Sequence, residues 1–306
     1  MGSIKQQMGG REWAMLLALA LLWGGSFFFV EIAIGSVSPL AIVFLRVVLA
    51  AIALWCFSAC AGVSIPRERP IWSAFAVMAV LNNVIPFSLI VWGQRDVGAA
   101  LASILNATTP FLTVLVAGVC LPDERMAPNK VIGVMVGFFG VALVVGGNRV
   151  IDLGQDLMAQ LAIIGAALSY ACAGVYGRRF KQMRINPIAV ATGQVTMSSL
   201  VLALLVLVFG VALPSPNIGW TVWLALLGLG LFSTAVAYIL YFRLLESAGA
   251  TNLLLVTLLI PVVATGLGVA VLGEALGAAD YAGMALIGVG LLTIDGRFLI
   301  AALPRL

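Results

Sequence analysis

"GAALASILNATTPFLTVLVAGVCLPDE" (residues 98–124) and "GATNLLLVTLLIPVVATGLGVAVLGE" (residues 249–274) decide the reading of this chain. Laid one on the other, Gly98 falls on Gly249, Pro110 on Pro261 and Asp123 on Glu274. Further on, Gly133 and Gly140 match Gly283 and Gly290, and near the start of each half Pro39 matches Pro187. Apolar helices resemble one another by composition alone, so one match means little. Glycine, proline and acidic positions in the same order, at an offset of about 150, indicate an internal duplication.

Composition says what is duplicated. The 306 residues are 63% hydrophobic and only 9% charged, with a mean hydropathy of +1.17. A soluble domain keeps close to a quarter of its residues charged, so the solvent for this surface is a lipid bilayer. The net charge of +4 does not point to nucleic acid, because the basic residues are dispersed among loops. Cys56, Cys60, Cys120 and Cys172 lie in apolar segments and read as buried small hydrophobes rather than a disulfide framework. The absence of histidine removes the usual proton shuttle and the commonest metal ligand. No cleavable signal peptide is read at the start.

Apolar runs long enough to span give ten segments: 13–34, 38–61, 71–94, 98–120, 129–147, 157–177, 187–212, 219–244, 249–272 and 279–300. Breaks such as "SIPRERP" at 64–70 and "LPSPN" at 213–217 carry turn and charge signals. With the N-terminus inside, thirteen lysines and arginines fall on the cytoplasmic side and only Arg95 and Arg149 outside, while Arg46 lies within span 2. That bias predicts cytoplasmic termini in a bacterial-type inner membrane. The fold class expected is therefore an all-α polytopic membrane protein. Its halves, 1–150 and 151–306, hold five spans each. Because five is odd, the second copy enters from the opposite side. Two inverted repeats around a central cavity are an architecture of secondary transporters that work by alternating access.

The 5 + 5 pattern, "LLWGGSFFFVEIAI" followed by "SPLAIVFLR", and the paired "P…GE" ends of spans 4 and 9 resemble the EamA family of the drug/metabolite transporter superfamily. The resemblance covers essentially the whole chain. It implies export of small metabolites, most similar to an exporter of aromatic and other neutral amino acids. It also implies a cavity lined by spans 1, 3, 4, 6, 8 and 9.

Depth and polarity independently select candidate binding residues, because a polar group unpaired in the bilayer is costly. These are Trp23, Ser26, Asn82, Asn83, Asn106, Thr109, Tyr170, Thr234 and Tyr238, with Trp92 added for stacking. Pro86, Pro110 and Pro261 are expected as kinks. Each lacks an N–H, so each should free the carbonyl four residues earlier, on Asn82, Asn106 and Thr257. Of the two adjacent asparagines, about 100° apart on a helix, Asn82 is expected to face the pathway and Asn83 to pack. Glu31 and Arg46 are deep charges that serve either proton coupling or a structural ion pair. Glu274, Asp123 and Glu124 read as caps of span ends, and Gly133 with Gly137 as a packing pair.

Other classes fit less well. There is no "HExxH", no paired-aspartate motif and no "GxxxxGKS", so neither a membrane enzyme nor an ATP-driven pump is indicated. No repeated filter motif suggests a channel. A phosphate-ester carrier would want several deep cations, whereas Arg46 stands alone. The sequence therefore favours an uncharged or zwitterionic substrate, with no cofactor and no metal; a monomer is one option for a carrier whose oligomeric state the sequence leaves open. A drug or another small metabolite stays open as cargo, as do facilitated and proton-coupled transport.

Overall fold

The computed structural model describes residues 9–120, 128–146, 155–253 and 256–295. Every regular element among them is helical, as a bilayer requires of a chain that must satisfy its own backbone. The first helices are α1 (Gly10–Ile34) and α2 (Pro39–Cys60). Next, α3 (Arg69–Ala79), a π-helical turn (Val80–Val84) and α4 (Ile85–Asn106) follow without interruption. They are followed by α5 (Thr109–Cys120), α6 (Pro128–Gly146), α7 (Gln155–Gln182) and α8 (Pro187–Val208). A second composite segment joins α9 (Trp220–Leu227), a longer π-helical stretch (Gly228–Val236) and α10 (Ala237–Leu253). The last helices are α11 (Val256–Leu272) and α12 (Ala278–Asp295).

Among the described residues six helices are long and apolar enough to cross a membrane, and four shorter apolar ones accompany them. The predicted boundary between spans 3 and 4 is real but subtler than a loop. It is Gly98, whose φ of 78° and ψ of 173° break α4 in a conformation that suits glycine. Span 4 is itself interrupted at Ala107–Thr108, before α5 begins. In the second half, α10 likewise runs through the predicted break to Leu253. Proline opens α2 and α8, the positions matched in the duplication; at α8 the Asn186 side chain also caps the Ile188 amide at 2.9 Å.

Packing crosses between the halves throughout. On α6 and α12, a Cβ at Gly140 would lie 2.8 Å from the Gly283 carbonyl, and one at Gly290 would lie 2.7 Å from that of Gly133. Rising numbers on α6 meet falling numbers on α12, so the two helices are antiparallel. The glycines meet as swapped pairs of the duplication, the signature of a local two-fold. Gly137, read as a packing residue, accommodates the Phe111 ring. The α2–α8 pair is also antiparallel, with Ser58 bonded to Thr192 (3.0 Å) and Trp55 to Thr196 (2.9 Å). Gly24 brings α1 against Ile260 and Val263 of α11, and Gly93 brings α4 against Ala159 and Ile163 of α7. The two halves are thus interleaved rather than side by side.

Candidate functional site

The two π-helical stretches occupy the third segment of each half, about 150 residues apart. A π turn widens the helix by one residue and spoils the regular bonding pattern, a feature concentrated at functional positions. In the first, the Ile85 amide bonds the carbonyl of Val80, five residues back. The side chains it carries form a polar network in the interior. Asn83 is fully buried, donates to the Ser198 hydroxyl (2.9 Å) and accepts from the Tyr238 hydroxyl (2.8 Å). Asn82, half-buried, donates to Gln194 Oε1 (3.2 Å) and to Tyr238 (3.3 Å). One asparagine is sealed and the other keeps partial access, although both are tied to α8.

The same π register corrects the expectation about freed carbonyls. Bonding five residues back means that Pro86 withholds its donor from Leu81 rather than Asn82. The Ser169 hydroxyl of α7 supplies the missing bond at 2.7 Å. Pro110 does not kink a helix; it is the second residue of α5, and the Thr109 hydroxyl takes the Asn106 carbonyl at 2.7 Å. Two of the three carbonyls are therefore satisfied by hydroxyl side chains, one from a neighbouring helix and one locally, as serine and threonine commonly do in membrane helices. Pro86 lies at the joint of a continuous helix, and Pro261 lies inside α11.

The second π stretch mirrors the first with different chemistry. Gly230 brings it against Leu49 and the Arg46 carbonyl of α2. There Arg46 Nε donates to Thr234 Oγ1 (2.9 Å), which itself donates to the Leu229 carbonyl five residues back (2.8 Å). The guanidinium carbon lies 3.7 Å from the centre of the Phe87 ring. Arg46 stands seven residues after Pro39, as Gln194 stands seven after Pro187. The two copies therefore make one contact twice: a residue of the second span holds the π turn of the opposite third span. In one copy that residue is charged, in the other neutral.

Glu31 and Arg46 do not form the ion pair that was one of their expected roles. Glu31 instead accepts from Gln94 Nε2 (2.8 Å), which also donates to the Phe27 carbonyl (2.7 Å). Glu274 is a cap, but of a distant helix. Its two oxygens accept from the Ala99 (2.6 Å) and Ala100 (2.8 Å) amides, the free N-terminal donors created by the break at Gly98. Its predicted counterparts Asp123 and Glu124 lie outside the described residues.

The remaining candidates scatter. Ser26 donates to the carbonyl of Trp23 on its own helix (2.6 Å), and Trp23 packs on Tyr241 with ring centres 5.7 Å apart. Tyr170 packs against the two largest apolar clusters, one of which it shares with Tyr238 and Phe87. Trp92 is 41% exposed and joins none of these contacts. Asn106 Oδ1 is sealed without a partner. A cavity of about 30 Å³ beside Pro261 has room for water only, and a recess of about 700 Å³ opens at the α2–α3 loop, away from all candidates. Interior space exists beside α1, because a Cβ at the buried Gly25 would meet nothing within 4 Å.

Gln194, Ser198 and Phe87 were not among the expected site residues. A signal for the first two was present: "TGQVTMSS" (192–199) sets five hydroxyl or amide side chains inside an apolar span. Among the described residues no group of three or more acidic, cysteine or histidine side chains gathers as a metal site.

Comparison with known proteins agrees with this architecture. The chain is 27% identical over 296 residues to a protein named "Uncharacterized inner membrane transporter YedA" of Escherichia coli K12, covering 94% of this chain and 92% of that one. It is 25% identical over 254 residues to "Uncharacterized transporter YoaV" of Bacillus subtilis, covering 81% and 84%. A solved crystal structure superposes over 97% of this chain with a TM-score of 0.69 at 22% identity, which supports the fold alone. The model of the EamA-like transporter family matches twice, over residues 12–146 and 157–294. The chain is thus a helical membrane protein that belongs to the EamA-like transporter family.

Proposed function

We propose that the protein is a secondary exporter of small zwitterionic metabolites, foremost aromatic and other neutral amino acids. It works by alternating access as a monomer, with ten spans in two inverted five-helix repeats, 1–150 and 151–306. The observation that carries this reading is the interior polar network built on two π turns in duplicated positions. Polar groups at that depth are expensive, and a π turn offers a bistable joint where helices shift register. The double family match and the antiparallel α6–α12 seam support the inverted repeat. The excess of basic residues on one side supports cytoplasmic termini, and similarity to the inner membrane transporter YedA supports an inner-membrane location. Aromatic side chains around the network (Phe87, Tyr170, Tyr238) suit an apolar or aromatic substrate.

Flux of labelled neutral amino acids into liposomes holding the purified protein tests the assignment. Saturable uptake above protein-free liposomes is expected; none for any neutral amino acid removes the substrate while leaving the fold. A second reading, proton exchange, is favoured by Glu31, whose bonding partner is the neutral Gln94 rather than a cation. Repeating the flux with an imposed pH gradient separates the two: acceleration favours exchange through Glu31, and indifference favours facilitated transport.

A further inference from the structure

We propose that Arg46 is the subsite for the substrate's carboxylate, so that cargo of this carrier must bear an anionic group. This deepens the transport reading and rests on it. Arg46 is 7% exposed, inside the helix bundle and about two turns into α2. A guanidinium has five N–H donors, and here Nε alone is used, on Thr234. Among the described residues the terminal nitrogens take no protein partner, and they are not among the sealed polar atoms of the interior, so they keep accessible surface. Phe87 supports one face of the plane, fixing its direction. An oriented cation with its outer fork free matches a carboxylate in bidentate geometry.

Its duplicated counterpart shows that architecture does not require the charge. Gln194 meets the opposite π turn at the equivalent place and holds it with a neutral amide. A positive charge inside the bilayer costs free energy that Gln194 avoids. The surplus at Arg46 is therefore explained by what binds there. Asn82 and Tyr238, both part-buried, offer amide and hydroxyl groups that suit the rest of a zwitterion.

Binding to purified wild-type protein tests this with three probes of one shape: L-phenylalanine, 3-phenylpropanoate and the uncharged 3-phenylpropanamide. Thermal stabilisation is titrated to give an affinity for each. Both carboxylates are expected to bind about ten- to a hundredfold tighter than the amide, the worth of a charge-assisted hydrogen bond. Arg46→Gln, checked for a wild-type elution profile, should erase that preference. Arg46→Lys should retain part of it, because the charge stays while the fork is lost. Equal affinity of the wild type for acid and amide, or binding of neither acid, overturns the subsite, whatever the variants do. Binding of phenylpropanoate without phenylalanine supports the subsite and defeats the amino-acid reading alone.

Discussion

The α6–α12 seam and the central layer are built from the same duplication, and they differ in how faithfully the two copies repeat each other. At the seam the contact is made twice with the same residue, glycine against the backbone of glycine, with no polar side chain in either contact. In the centre one contact is also made twice, but Arg46 holds Thr234 where Gln194 holds Asn82. Where the copies agree, the requirement is shape: helices meet closely only if neither carries a side chain. Where they differ, a chemical demand has been laid over the shared frame.

That distinction breaks most visibly at the seam. Gly290→Leu places a side chain on the Gly133 carbonyl, backbone that cannot yield. Overpacking of this kind costs about 1–3 kcal/mol or more. The variant should melt well below the wild type in detergent and fold in poor yield, and wild-type melting would show the seam to be loose. The next effect sharpens the contrast within the centre itself. Asn83→Ala leaves Ser198 and Tyr238 short of partners and should cost about 1–3 kcal/mol of stability. Asn82→Ala, at a half-open position, should impair transport while leaving melting near that of the wild type. The opposite assignment of the two variants would return Asn82 to packing.

The smallest effect belongs to the outer cap. Glu274→Gln keeps one acceptor oxygen and loses the second charge-assisted bond to the Ala99 and Ala100 amides. About 1–2 kcal/mol of local stability should go, seen as faster hydrogen exchange at those two amides. Unchanged exchange would mean that the break at Gly98 holds itself.

Much of this was legible beforehand. Glycine and proline positions pointed to a duplication that the double family match supports, and hydrophobic runs marked the apolar helices, because the bilayer allows few alternatives. Glu274 was readable as a cap, but not as the cap of a helix 175 residues away, since that pairing exists only once the halves interleave. The π turns left no periodic signal. The exposed Phe232 and Val236 are as apolar as most of the buried positions beside them, so an extra residue changes no pattern of apolar and polar positions. The freed carbonyl was accordingly assigned to Asn82 when the wider register moves it to Leu81. Gln194 and Ser198 were visible as polar residues, yet which helix they face is settled by packing alone.

The central claim is that the layer around Asn82 is reached alternately from the two sides of the membrane. Its most direct test replaces Cys56, Cys60, Cys120 and Cys172 by serine, introduces Asn82→Cys, and applies a membrane-impermeant thiol reagent from one side at a time. Labelling from either side, slowed by bound substrate, is the predicted result. Labelling from neither side, or from one side only with and without substrate, would contradict it.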